Sequence, residues 1–113
     1  QVIVIVYISL IVVQFLHVLE EITGKASFID TIYGGTTNFL VIMMLLLMIP
    51  IVLLYFIVNK RKFAYILSYV YAFVMIVDGL DHFVENYPGK YTAAGLIILG
   101  GLLIFTLKRN KVE

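Results

Sequence analysis

The chain has two histidines, and both stand among carboxylates. His17 follows Gln14 and precedes Glu20 and Glu21, while His82 follows Asp78 and Asp81 and precedes Glu85. On a helix, residues three and four positions apart lie one above the other. Gln14, His17, Glu20 and Glu21 therefore share a polar face, and Asp78, Asp81, His82 and Glu85 form a second. Imidazole nitrogen and carboxylate oxygen without sulfur make a ligand set for Zn, Fe or Mn; it disfavours Cu(I) and leaves Cu(II) open. A histidine and a carboxylate three apart on two facing helices is the geometry with which four-helix bundles hold one or two metals. The di-iron version places Glu before His, the reverse of the order here. The ligand set read from this pattern is His17, Glu20, Glu21, Asp78, His82 and Glu85. Gln14, Asn38 and Asp81 are read as supporting groups. Asp81 adjoins His82, where a carboxylate can orient an imidazole; Asn38 begins the second apolar run and serves equally well as a helix cap.

The elements that must position these groups follow from composition. Of 113 residues, 63% are hydrophobic and 13% charged, with a mean hydropathy of +1.09, against roughly 25% charged in a soluble domain. A water-soluble chain this short cannot hide so much apolar surface, so lipid is the expected solvent. Apolar runs extend from about Val2 to Leu19, Phe39 to Val58, Phe63 to Val77 and Ala93 to Leu107, the first three continuing into polar helical ends. Each approaches the ~20 residues that cross a ~30 Å hydrocarbon layer, and unpaired strand edges are not tolerated in lipid. The fold class expected is all-α, a polytopic up-down bundle of four transmembrane helices in a single domain.

The turn Asn59-Lys60-Arg61-Lys62 carries three positive charges, and Lys108, Arg109 and Lys111 follow the fourth run, whereas Lys25 and Lys90 stand alone in the other two loops. The positive-inside rule then puts the middle turn and both termini in the cytoplasm and the histidines at the outer end. Pro50 is expected to kink the second helix. Ala93, Ala94, Gly95, Gly100 and Gly101 are expected to let the fourth helix approach a neighbour closely. Tyr33, Tyr87 and Tyr91 read as interfacial anchors.

A repeat lies within this background. His17-x-x-Glu20-x-x-x-Gly24-Lys25 has the same spacing as His82-x-x-Glu85-x-x-x-Gly89-Lys90, and each copy closes the first helix of a hairpin. The reading is two parallel helical-hairpin repeats, about 1–59 and about 60–113, related by an axis along the membrane normal, which brings both histidines into one layer. About 1.5 Å of rise per residue from Lys62 puts Asp78 about 24 Å up its span, where an ionisable group costs up to ~3 kcal/mol. A bound cation, protonated carboxylates in mutual hydrogen bonds, or a water-filled cavity would each offset that cost. Polar helix ends facing only headgroups and water are the simpler reading.

Phe15-Leu16-His17-Val18-Leu19-Glu20-Glu21, ending the first helix, resembles the naming motif of the HXXEE-domain membrane proteins, small multi-helix proteins of bacteria and archaea. That family's later motif, Asn-x-x-x-His followed by a Tyr-Pro-Gly-like turn and Thr-Ala, is similar to Asp78-x-x-x-His82, Tyr87-Pro88-Gly89 and Thr92-Ala93, with Asp78 in place of Asn. The resemblance covers about a third of the chain. It implies a prokaryotic cell membrane and a functional role for His17, Glu20, Glu21 and His82, and it supplies no reaction.

Three functions fit these residues. The first is a membrane protein with an outward-facing His/carboxylate site for a divalent transition metal. The second is an accessory subunit, or a homo-oligomer, packing by its apolar faces into a larger membrane complex. The third is a metal-free acid/base enzyme acting on a lipidic substrate. A net charge of +1, with basic residues only in short clusters at the ends of apolar runs, argues against nucleic acid as a partner. With no cysteine, thiol chemistry is excluded.

Overall fold

The computed structural model describes residues 2–85 and 89–109. Among them, helices α1 (Val2–Thr23), α3 (Thr36–Val58), α4 (Lys62–Val84) and α5 (Lys90–Arg109) are long and apolar enough to cross a membrane, and a single-turn helix, α2 (Phe28–Thr31), lies in the first loop. The bundle is all-α, as expected. The α2 turn is an addition that continuous apolar runs do not announce, because four residues are too few to carry a periodic signal.

Each long helix buries a narrow stripe. In α1 the buried set Ile3, Val6, Tyr7 and Leu10 recurs at three- and four-residue steps, and in α5 Leu96, Gly100, Leu103 and Leu107 do the same. These stripes meet Leu53 and Ile57 of α3 and Ala64, Tyr71, Ala72 and Met75 of α4 in one core. Large apolar side chains elsewhere face outward, among them Ile5, Leu45, Ile66, Phe73 and Ile98, each more than 60% exposed. Such faces suit lipid and not water.

The helices neighbour one another around a ring, α1 beside α3, α3 beside α4, α4 beside α5 and α5 beside α1. Helices α1 and α4 face each other across its centre. Their side-chain pairs rise together along both chains: Tyr7 with Ser68, Gln14 with Tyr71, Glu21 with His82. The two histidine helices therefore run parallel and end in the same layer.

Close approach of α4 to α5 depends on absent side chains. A Cβ on Gly79 would sit 2.7 Å from the carbonyl oxygen of Ala93, and one on Gly100 would sit 2.8 Å from Ile76 Cγ1 and 3.1 Å from the carbonyl of Ala72. A Cβ on Gly95 would meet Val13 at 3.0 Å, and one on Gly101 would meet nothing within 4 Å. The expectation for the fourth span thus holds at Gly95 and Gly100 and fails at Gly101, which points outward; Gly79, on the partner helix, contributes as much. Pro50 is buried within α3, which continues without interruption from Thr36 to Val58.

Candidate metal centre

The end of α1 carries His17 and Glu21 on its buried side, one turn apart, and the end of α4 carries His82. The two imidazoles meet edge to face with centroids 4.3 Å apart. Glu21 lies between them: Oε1 is 3.4 Å from His17 Nε2 and Oε2 is 3.2 Å from His82 Nε2. All three side chains are buried, and one ligand atom from each lies within 4.8 Å of the others. This group could hold a metal ion. Asp78 stands at its edge, Oδ2 3.6 Å from His17 Nε2 and Oδ1 3.6 Å from His82 Nδ1.

The opposite ring nitrogens decide which lone pairs are free. His82 Nδ1 lies 2.8 Å from the backbone carbonyl of Asp78, one turn back, and must donate to it. His17 Nδ1 lies 2.8 Å from Thr92 Oγ1. That hydroxyl has one proton, and Glu20 Oε1, at 2.6 Å, is its short, charge-assisted acceptor. With the hydroxyl proton so directed, Thr92 can only accept from His17. Both rings then carry hydrogen on Nδ1 and turn Nε2 toward the Glu21 carboxylate, to which His82 Nε2 donates when it is protonated. Of the two Nε2 atoms, that of His82 lies within hydrogen-bond distance of Glu21 Oε2, whereas His17 Nε2 makes no hydrogen bond.

Glu20 is occupied differently from its neighbour. Besides the Thr92 hydroxyl it accepts from the Thr92 backbone N–H at 3.1 Å, an orphan donor in the first turn of α5. Its charge also faces the positive end of that helix dipole. Glu20 therefore ties the end of α1 to the start of α5 and reaches the imidazole only through Thr92. Gly89 makes this junction possible: its φ of +99° suits glycine, and a Cβ there would lie 3.1 Å from His17 Cε1.

The remaining expected residues lie farther out. Asp81 is exposed at the mouth of a cavity beside the cluster, so the His82 ring is oriented by the carbonyl of Asp78 and not by the Asp81 carboxylate. Glu85, at the C-cap of α4, is exposed and outside the cluster, as is Asn38 in the first turn of α3. Gln14 lines the cavity one turn below His17 and accepts a 2.6 Å bond from the Tyr71 hydroxyl. The stripe of four on α4 is thus divided: only His82 turns fully inward, because Gly79 and His82 lie on the side packed against the bundle.

Three contributors were not read as site groups from sequence, Thr92 having entered only through the motif resemblance. Thr92 sets the His17 tautomer, and Tyr71 anchors Gln14. The first loop forms a cover, with Val18, Ala26, Ile29 and Phe39 packed together and Phe28 edge-on to the His82 ring at 6.4 Å. Tyr33, read as an interfacial anchor, instead lines the cavity with its ring 4.9 Å from Phe39. Burial first, and then the Glu21 and Asp78 carboxylates, push its phenol above the ordinary value, keeping it a hydrogen donor. Tyr91 is exposed, and Tyr87, Pro88 and Lys111 lie outside the described residues. No protein-family model, curated protein or solved structure matches this chain, so the similarity to HXXEE-domain proteins rests on its motif residues alone.

Proposed function

We propose that this chain is an integral membrane protein that binds a divalent transition metal, Zn, Fe or Mn by ligand chemistry, through His17 Nε2, His82 Nε2 and the Glu21 carboxylate. The observation that carries this reading is the meeting of two imidazole Nε2 atoms and the Glu21 carboxylate in one buried cluster, with both Nδ1 atoms committed elsewhere and His17 Nε2 without a hydrogen bond. Leaving a group such as His17 Nε2 buried and unsatisfied costs about 1–3 kcal/mol; a cation would satisfy it. The nitrogen-to-oxygen separations of 3.2 and 3.4 Å match the ligand-to-ligand edge of about 3.3 Å in a tetrahedral site with bonds of about 2.0–2.1 Å. Three protein ligands leave a fourth position for water, for Asp78 or for a substrate oxygen. The basic turn at Lys60, Arg61 and Lys62 supports a cytoplasmic middle turn and an outward-facing metal site.

Elemental analysis of protein purified without chelator tests the proposal. The expected result is one ion per chain, lost in His17→Ala, His82→Ala and Glu21→Gln while circular dichroism shows the helices retained. A native preparation free of metal that also takes up none on titration with zinc, iron and manganese would sink it. A proton held in place of the ion would make the same cluster an acid/base pair. The cavity of about 430 Å³ against it favours that second use, and lipid turnover that survives chelation would identify it.

A further inference from the structure

Two cavities lie between α3 and α4, one of about 430 Å³ against the histidine cluster and one of about 330 Å³ farther along the bundle. They share Gln14, Leu46, Val74 and Met75 as walls and so form one groove. Its outer end presents His17, Glu21, Asp78 and Asp81; the inner part is apolar apart from Gln14 and Tyr71, which are bonded to each other. Leu46, Ile49, Val70 and Val74 are 45–56% exposed along its rim, so the groove opens sideways, where a membrane helix meets lipid. From Asp78 to Leu67 the helix rises about 16 Å, the thickness of one leaflet of a ~30 Å hydrocarbon layer. Among the described residues no lysine or arginine lines either cavity, and three carboxylates line the outer one.

We propose that this groove binds a single-chain membrane lipid with an uncharged oxygen head, of the class of long-chain alcohols, aldehydes or esters. The tail lies between α3 and α4 and the head lies at the cluster. Depth fits one tail within one leaflet. The carboxylates repel a fatty carboxylate or phosphate head, whereas a neutral oxygen suits both the fourth metal position and the Tyr33 hydroxyl at the same wall. The placement of the head rests on the metal reading, and the tail site does not.

The chain has no tryptophan, so one introduced tryptophan is the sole indole reporter. Ile49→Trp places it on the groove wall, and Val52→Trp, on the same helix but outside both cavities, faces bulk lipid. In vesicles of unbrominated phosphatidylcholine, a brominated long-chain alcohol should quench Ile49→Trp at about tenfold lower mole fraction than Val52→Trp. Unbrominated alcohol should reverse the quenching, and a fatty acid of equal length should not. Equal quenching at both positions, equal competition by the fatty acid, or a shielded Ile49→Trp in a chain of dimeric mass would each overturn the proposal. Zinc, iron and manganese content, measured on the same samples after titration, separates the two readings. Selective quenching in a protein that takes up no zinc, iron or manganese sustains the tail site and sinks the metal, while a bound ion without selective quenching sinks the groove alone.

Discussion

His17 is held from both sides of its ring, and that makes its role testable apart from its presence. Thr92 accepts from Nδ1 and donates its hydroxyl hydrogen bond to Glu20, so the carboxylate acts on the His17 ring, and through it on Nε2, by way of a hydroxyl. Thr92→Val keeps the shape and deletes the relay. Zinc affinity, measured against a competing chelator, is expected to fall roughly 10–100-fold, the usual cost of losing a group behind a ligand, with Thr92→Ser restoring it. Unchanged affinity in Thr92→Val would mean the hydroxyl only caps α5. Acidification gives a second test. An ion bound to two imidazoles and a carboxylate displaces protons that would otherwise occupy them, so affinity must fall as pH drops. Titrations at about pH 7.5 and about pH 5.5 should show the tighter binding at the higher pH.

At the scale of elements, the contact between α4 and α5 places His82 and Thr92 on opposite sides of the cluster, and its closeness comes from missing side chains. Gly79→Ala drives a Cβ to 2.7 Å from the Ala93 carbonyl oxygen, and backbone has no rotamer with which to yield. Overpacking of this kind costs about 1–3 kcal/mol, expected as a lower thermal midpoint in detergent. Gly101→Ala meets nothing within 4 Å and replaces the poorest ordinary helix former, so it should be neutral or raise stability by up to about 1 kcal/mol. Similar loss in both variants would show that helix propensity and not close approach governs these positions. The loop bearing α2 acts at the same scale. Its Phe28 edge and the Tyr33 and Phe39 rings form a hydrophobic cover over groups that water would otherwise solvate.

For the molecule as a whole, orientation is the main consequence of charge placement. The turn around Lys60 and the start of the first loop lie at opposite ends of α3, so they must emerge on opposite sides if the bundle spans a bilayer. Because the chain has no cysteine, Lys60→Cys and Asp30→Cys give unambiguous labels. An impermeant maleimide added to intact cells should modify Asp30→Cys and reach Lys60→Cys only after lysis. The opposite pattern would reverse the orientation, and labelling of both would deny that α3 crosses the membrane. The exposed apolar faces of α1, α3 and α4 also leave room for neighbouring subunits.

Helical class, the number of long helices, their approximate limits and the pairing of the two histidine segments could all be read from residue order. Each depends on local properties: apolar runs of bilayer length, a basic turn too short to be anything else, and histidines at matching points of two runs. Which carboxylate enters the cluster could not be read this way. Glu20 and Glu21 are adjacent in sequence, yet about 100° of helical rotation sends one to the start of α5 and the other between two imidazoles. Asp78, Asp81 and Glu85 share a helical face on paper, and only the packing of α4 through Gly79 against α5 determines that His82 turns inward while Asp81 and Glu85 remain outside. The tautomer of His17 depends on Thr92, far along the chain and on another helix, so only the tertiary structure could supply it. Local sequence sets the period of a helix, but the rotation of each helix about its axis is set by its neighbours.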